Sequence, residues 1–363
     1  MNILLMDLGN EFRGGQRQVL HLVRELNAER GRHAGLAAPV GAPVARKAVE
    51  QGLPLYPLPG HLDWDFRNLI ALKRILRVGL FDVLHTNDAR SASLGALTRL
   101  LTPDVKLVHT RRVSYPLKRG WSFRKYQVAD LVVAVSRDIA ESLAHSGIGH
   151  DKIEVVHSGI VPDAYQKSVN AGAREEIVFG LIGAFTPQKG VEVFLKALAE
   201  IRRMRPEFRW LGLIVGEGPL GERLEDLAVE LGIDDAVSFP GFVESKDVLC
   251  EIDVLVVPSM HGEGSSGTIK EGWAAGVPVV CSDLEANLEL VAHEETGLVA
   301  QRGDEKALAE SLIRLVEDRE LAGRLKAEGE ERVKEFTVRR MAGAYRRLYE
   351  DLVRGGGKAY PQA

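Results

Sequence analysis

The stretch Glu263-Gly-Ser-Ser-Gly-Thr-Ile-Lys-Glu271, continued by Gly272-Trp-Ala-Ala-Gly276-Val-Pro-Val-Val280, reads as a turn of small residues, a short helix and an apolar strand. A helix that starts this way offers free backbone N–H groups and a positive dipole end, which suits a phosphate. Two carboxylates stand eight residues apart, one before the helix and one inside it. Carboxylates accept hydrogen bonds from the hydroxyls of a sugar or a ribose. One segment therefore joins acceptors for hydroxyls to donors for a phosphate, the set that a nucleotide-sugar site needs.

The same turn–helix–strand grammar runs along nearly the whole chain. Apolar runs at Ile3–Leu8, Gly35–Pro39, Leu55–Leu58, Val83–His85, Lys106–Thr110, Leu131–Val135 and Glu154–His157 form a first series of expected strands. Ile177–Ile182, Trp210–Val215, Val237–Pro240, Val254–Pro258 and Val277–Ser282 form a second. Between them lie amphipathic stretches, among them Gln16–Glu29, Asn68–Val78, Arg90–Leu101, Val191–Met204, Gly221–Leu231 and Lys306–Val316. Strands alternating with helices predict parallel sheets covered on both faces. The fold class is α/β, with two doubly wound, Rossmann-like domains facing a central cleft. The seam is expected in the polar segment Ser158–Arg174. Residues 1–168 then form the first domain and 169–338 the second, with the last helical segment, 339–354, crossing back to the first. A chain of 363 residues is longer than one core usually spans, in agreement with this division.

Composition narrows the class. Hydrophobic residues at 45% and charged residues at 27% are those of a globular protein. No apolar run reaches the roughly 18 to 20 residues of a membrane span, and Met1–Asp7 lacks the basic region of a signal peptide. Cys250 and Cys281 are too few for a disulfide framework or a zinc site. A cytoplasmic location is expected. The charge is uneven: 23 basic against 16 acidic residues up to Ser168, and 24 against 35 beyond it. The basic excess peaks in Arg111-Arg112-Val-Ser-Tyr-Pro-Leu-Lys118-Arg119-Gly-Trp121-Ser-Phe123-Arg124-Lys125. This is either a solvated helix with two core aromatics or a surface for an anionic membrane or a phosphorylated acceptor.

Other candidates sit at strand ends. Gly14-Gly15 follows the first strand and lets backbone approach an anion, or only tightens a turn. Lys189-Gly190 follows the first strand of the second series; the lysine reaches a diphosphate or points to solvent. His109 and His85 end strands, each either facing the cleft or satisfied within the core. The turn Gly216-Glu-Gly-Pro219 either approaches a ligand or only tightens. Asp63-Trp64-Asp65 has the form of a metal pair, but short acidic motifs are common, and no metal is expected. No Gly-x-Gly-x-x-Gly or Walker loop is present, and no nucleic-acid partner is indicated.

Taken in order, these blocks resemble the retaining glycosyltransferases of family 4, of GT-B architecture. The matching blocks are Gly14-Gly15, Asp82-Val-Leu-His85, Val133-Ala-Val-Ser136, Pro187-Gln-Lys189-Gly190, Val215-Gly-Glu-Gly-Pro-Leu220, Phe239-Pro-Gly241-Phe-Val243, Pro258-Ser259 and Glu263…Glu271 with Gly276–Val280. The resemblance implies a nucleotide-diphosphate sugar as donor, a glycan or lipid-linked acceptor, no cofactor and no metal. The expected setting is cell-envelope polysaccharide or lipopolysaccharide assembly. It implies that Glu271 holds the donor ribose and that Ser266 with the amides of Gly267, Thr268 and Ile269 binds the diphosphate. Lys189 adds charge, and Gly15 approaches the phosphates from the first domain. Glu263 contacts the donor sugar, His109 lies near the reacting centre, and Phe242-Val243 lines the base pocket. A front-face route follows, in which the leaving phosphate helps to deprotonate the acceptor. Where the family often has arginine ahead of the lysine, this chain has Ala184, so Arg111 or Arg112 would have to supply the second cation. Ser265-Ser266 replaces a common Pro-Phe. Rival readings are an epimerase or phosphorylase on the same fold, or a sugar-nucleotide binding protein without activity.

Overall fold

The computed structural model describes residues 1–28, 31, 33–62, 64–166 and 176–355. Asp63 and most of the expected seam beyond residue 166 lie outside the described residues. The chain divides into two compact units, Met1–Gly159 together with the segment from Val338 on, and Ile160–Thr337.

The first unit is a sheet of seven parallel strands: β1 (Asn2–Met6), β2 (His33–Pro39), β3 (Leu55–Leu58), β4 (Val83–Thr86), β5 (Lys106–Arg111), β6 (Leu131–Ala134) and β7 (Ile153–Val155). Their order is β3-β2-β1-β4-β5-β6-β7. Helices α1 (Gly14–Asn27), α2 (Pro43–Glu50), α3 (Phe66–Val78), α4 (Ala89–Arg99), α5 (Trp121–Gln127) and α6 (Arg137–His145) connect them. Side chains alternate across a strand, and β1 shows the result. Ile3 and Leu5 enter one core with Val19, Leu20 and Val23 of α1. Leu4 and Met6 enter the opposite core with Leu72 and Leu76 of α3 and Ile139 of α6. A strand apolar on both faces has to be covered on both faces, which is why the sheet is wound twice.

The second unit repeats the plan with six parallel strands. They are β8 (Ile177–Ile182), β9 (Trp210–Val215), β10 (Val237–Ser238), β11 (Val254–Val257), β12 (Val279–Ser282) and β13 (Leu298–Ala300), ordered β10-β9-β8-β11-β12-β13. Its helices are α7 (Val191–Met204), α8 (Gly221–Glu230), α9 (Ser245–Val248), α10 (Gly267–Ala274), α11 (Glu285–Leu288), α12 (Glu305–Glu317) and α13 (Arg319–Arg332). Val254 and Val256 of β11 join one core and Leu255 and Val257 the other. The final helix, α14 (Val338–Val353), returns to the first unit and buries Met341, Ala342, Tyr345 and Tyr349 against α1.

Two elements escape a reading of periodicity. Strand β13 has three residues at a sheet edge. Helix α13 buries only Leu321, Leu325 and Gly329, too few apolar positions to show a stripe.

Candidate active site

In a doubly wound sheet, ligands bind beyond the carboxyl ends of the strands where the strand order reverses. In the second unit that point lies between β8 and β11. The loop after β8 carries Lys189, and the loop after β11 carries Ser259 and Glu263. The structure ties these loops together. Met260 N–H donates to the Gln188 carbonyl at 2.8 Å, and Gln188 Nε2 donates to the Gly262 carbonyl at 3.1 Å. Gly190 allows the approach: its φ is +67°, and a Cβ there would stand 2.0 Å from the Pro258 carbonyl oxygen. No other residue fits that turn without moving the chain.

The loops bring Lys189 and Glu263 into direct contact. Lys189 Nζ donates to Glu263 Oε1 at 2.6 Å, and its stem lies over Gly183. Ser259 Oγ donates to the same oxygen at 2.8 Å. A polar chain continues beneath. Ser282 Oγ donates to the Ser259 carbonyl at 2.6 Å, and Asn287 Nδ2 donates to the Ser282 carbonyl and hydroxyl. Ser259, Ser282, Asn287 and Glu263 are all buried. A buried carboxylate is kept only when it is paired and hydrogen-bonded, and Glu263 is both. Ala184, at the end of β8, is exposed.

Helix α10 begins at the next turn. Ser266 is its N-cap and accepts from Ile269 N–H at 3.4 Å. The Ile269 amide is thereby occupied, and the amides of Gly267 and Thr268 remain as the forward donors of the helix start. Glu271, one turn on, is half-buried. Its Oε1 reaches back to within 3.7 Å of the point where a Cβ would stand on Gly267. Its carboxylate is thus aimed at the helix start. Lys270 is fully buried, donates from Nζ to Ser265 Oγ at 2.6 Å and lies 5.0 Å from the centre of the Phe336 ring. This anchor fixes the serine loop between the two glutamates. Past β10, Phe242 is exposed and Val243 packs against the core. Phe242 N–H faces Glu217 Oε1 at 3.4 Å, and Gly216 N–H donates to the Gly241 carbonyl. The turns at 216–219 and 241–243 are therefore joined.

The first unit presents a different picture. Its order reverses between β1 and β4, and Gly14-Gly15 opens α1 beyond β1. Arg112, just past β5, lies over that start, its Cδ 3.3 Å from where a Cβ would stand on Gly15. Its Nη1 donates to Ser158 Oγ at 3.3 Å, while its buried Nε has no hydrogen-bond partner. Arg111 behaves otherwise: it is buried, donates to the Tyr115 carbonyl and covers the Tyr126 ring at 5.5 Å. Asp7, at the end of β1, accepts from Gly9 N–H and Gln16 Nε2. Burial, helped by the nearby Asp88 charge, pushes its carboxyl up to about 6.

His109 is fully buried. Its Nε2 faces the Lys125 carbonyl at 2.9 Å and so carries the proton, which leaves Nδ1 to accept from the Thr86 hydroxyl. Burial holds the ring neutral, with its pKa down at about 4. That is the geometry of a satisfied core histidine: both nitrogens are engaged within the first unit, and contact with a reacting sugar would require breaking one of these bonds. His85 is likewise enclosed by Tyr349 and Thr110.

Sequence reasoning assigns no role to Ser259, Ser282, Asn287 or Lys270. The Pro258-Ser259 pair was visible as a motif, but its partner four residues on appears only when the loop folds. Lys270 had one signal: a lysine beside Ile269 on a short helix whose residues, Glu271 apart, are otherwise uncharged.

Comparison with known proteins identifies the family. The model of Glycosyltransferase Family 4 matches residues 12–164, and that of Glycosyl transferases group 1 matches residues 176–318. The chain belongs to these glycosyltransferases, and its fold is GT-B. It is 27% identical over 359 residues to the lipopolysaccharide core biosynthesis glycosyltransferase LpsD of Rhizobium meliloti, covering 96% of this chain and 98% of that one. It is 28% identical over 364 residues to the phosphatidyl-myo-inositol mannosyltransferase of Mycobacterium leprae, covering 95% of each. Among solved structures it resembles Anabaena Alr3699/HepE in complex with UDP, with a TM-score of 0.85, 17% identity, and 97% and 100% of the two chains covered.

Proposed function

We propose that this glycosyltransferase moves a sugar, with retention of configuration, from a nucleotide-diphosphate sugar to a hydroxyl of a glycan or lipid-linked acceptor in cell-envelope polysaccharide or lipopolysaccharide assembly. The observation that carries the reading is the Lys189–Glu263 pair at the switch point of the second unit, beside the open start of α10 and the Glu271 carboxylate. The relatives support the setting: one is named for lipopolysaccharide core biosynthesis, another for mannosyl transfer to a phosphatidylinositol. A similar fold has been solved with UDP.

The chemistry follows from charge. Breaking the bond between the sugar and the diphosphate leaves negative charge on the phosphate and positive character on the sugar. Lys189 and the amides of Gly267 and Thr268 meet the first as fixed, preorganised partners. Glu263 is held by Ser259 and Lys189 and reads hydroxyls of the donor sugar. When a diphosphate arrives, Lys189 gains a second anionic partner without leaving the first. Glu271 accepts from the ribose hydroxyls, and the backbone at Phe242-Val243 borders the base. In the first unit, Arg112 over Gly15 is the cation best placed for a phosphate, because Arg111 is spent on Tyr115 and Tyr126.

A ligand that binds only the folded state raises its melting temperature. A thermal-shift screen with UDP, GDP, ADP and CMP is expected to show a rise for a diphosphate and none for CMP. A flat response to all four would sink the donor assignment.

A further inference from the structure

We infer that the first unit docks on an anionic lipid surface through an apolar patch formed by the start of α3 and the start of α5. The two segments are far apart in sequence, and the fold joins them. Trp64 and Trp121 pack with ring centres 5.3 Å apart, yet 62% of Trp64 and 37% of Trp121 stay exposed. Leu62, Phe66 and Ile70 are exposed at 66%, 69% and 63%. Single exposed apolar residues need no explanation, but a contiguous cluster marks an interaction site.

Charge selects the partner. Helix α3 contains Arg67, Lys73, Arg74 and Arg77 and no carboxylate. Phe66, Ile70, Arg74 and Arg77 are all exposed and recur at helical spacing, so one face runs from apolar to basic. The Asp65 carboxylate is occupied by Arg67 at 2.7 Å. Residues 111–127 carry six cations and no acid, and Lys118, Arg119 and Arg124 are exposed. Aromatic and aliphatic side chains ringed by cations are what an interfacial contact with anionic lipid requires. A second copy is disfavoured, because a two-fold contact sets this patch on itself and brings the cations together. A glycan is disfavoured too: the indoles cover each other at 44° instead of offering one flat face, and Leu62 and Ile70 offer no ring to stack on a sugar.

The test uses the full chain. Trp210 and Trp273 are buried, so quenching by acyl chains brominated near the glycerol reports Trp64 and Trp121. Vesicles of equal parts phosphatidylglycerol and phosphatidylcholine are expected to bind the chain at least about tenfold more tightly than phosphatidylcholine alone, with quenching. Binding should collapse at about 1 M salt, where screening falls to about 3 Å. The double variant Lys118→Glu/Arg119→Glu is expected to lose about tenfold or more, and Trp64→Ser to lose most of the quenching at an unchanged melting temperature. Equal binding to both vesicles, no quenching, or variants that bind like wild type would overturn the inference. So would a dimer in sedimentation that Trp64→Ser dissolves, or tryptophan quenching by a soluble oligosaccharide in place of lipid.

Discussion

Both sheets reverse their order beside their first strand, yet they use polar side chains at the strand ends differently. The first unit encloses them: His85, His109, Arg111 and Lys125 are buried and hydrogen-bonded to Tyr349, Thr110, Thr86, Tyr115, Ala89 and Ser93. The second keeps the chain Ser259, Ser282 and Asn287 beneath Glu263, anchors Ser265 with Lys270 and sets Lys189 against Glu263 at the strand ends. One architecture thus serves two ends. In the first unit buried polar groups lock the sheet to α14, and in the second they aim a carboxylate. A histidine at a strand end and a lysine at a strand end look alike as sequence; the loop that follows decides whether the side chain is enclosed or presented.

If that contrast is right, removing the presented group costs rate and removing the enclosed one costs stability. Lys189→Ala is expected to lower turnover per folded molecule about 100- to 1,000-fold, the range for loss of one preorganised charge partner; the Glu263 carboxylate keeps its bond from Ser259, so the fall in melting temperature is smaller than for His109→Ala. Unchanged turnover would move Lys189 out of the site. His109→Ala is expected to do the reverse. Loss of two buried hydrogen bonds and a ring costs about 2–4 kcal/mol, read as a lower denaturant midpoint, while turnover per folded molecule changes less than about threefold. A hundredfold rate loss at full stability would make His109 part of the reaction.

The smallest expected effect concerns Asp7. Its folded pKa of about 6 lies above the ordinary aspartate value of 3.8. The folded state therefore holds its proton longer, and ionisation penalises folding increasingly as pH rises from about 4 to 6. The Asp7→Asn variant should gain on wild type across that window, by about 1–2 kcal/mol once the weakened bond from Gly9 is counted. A stability difference that does not change with pH would show that folding does not raise the Asp7 pKa.

Much of this was legible in the sequence. Alternating apolar runs gave both sheets, and Lys189, Glu263 and Glu271 stood out by type and position. What was not legible depends on tertiary contact. Ser259 and Glu263 share an oxygen only because the chain turns between them. His109 is enclosed because Thr86 lies on the neighbouring strand β4 and Lys125 on α5. Trp64 and Trp121 meet only across the fold. Edge strand β13 was missed because three residues carry no period.

In the proposed function the second unit grips a nucleoside diphosphate through Lys189, Glu263 and the start of α10, with Glu271 on the ribose. Calorimetric titration of the nucleoside diphosphate that shifts melting most, into wild type and Glu271→Ala, tests it directly. Loss of hydrogen bonds to a charged group predicts about 10- to 100-fold weaker binding by the variant; equal affinity in both would contradict the account.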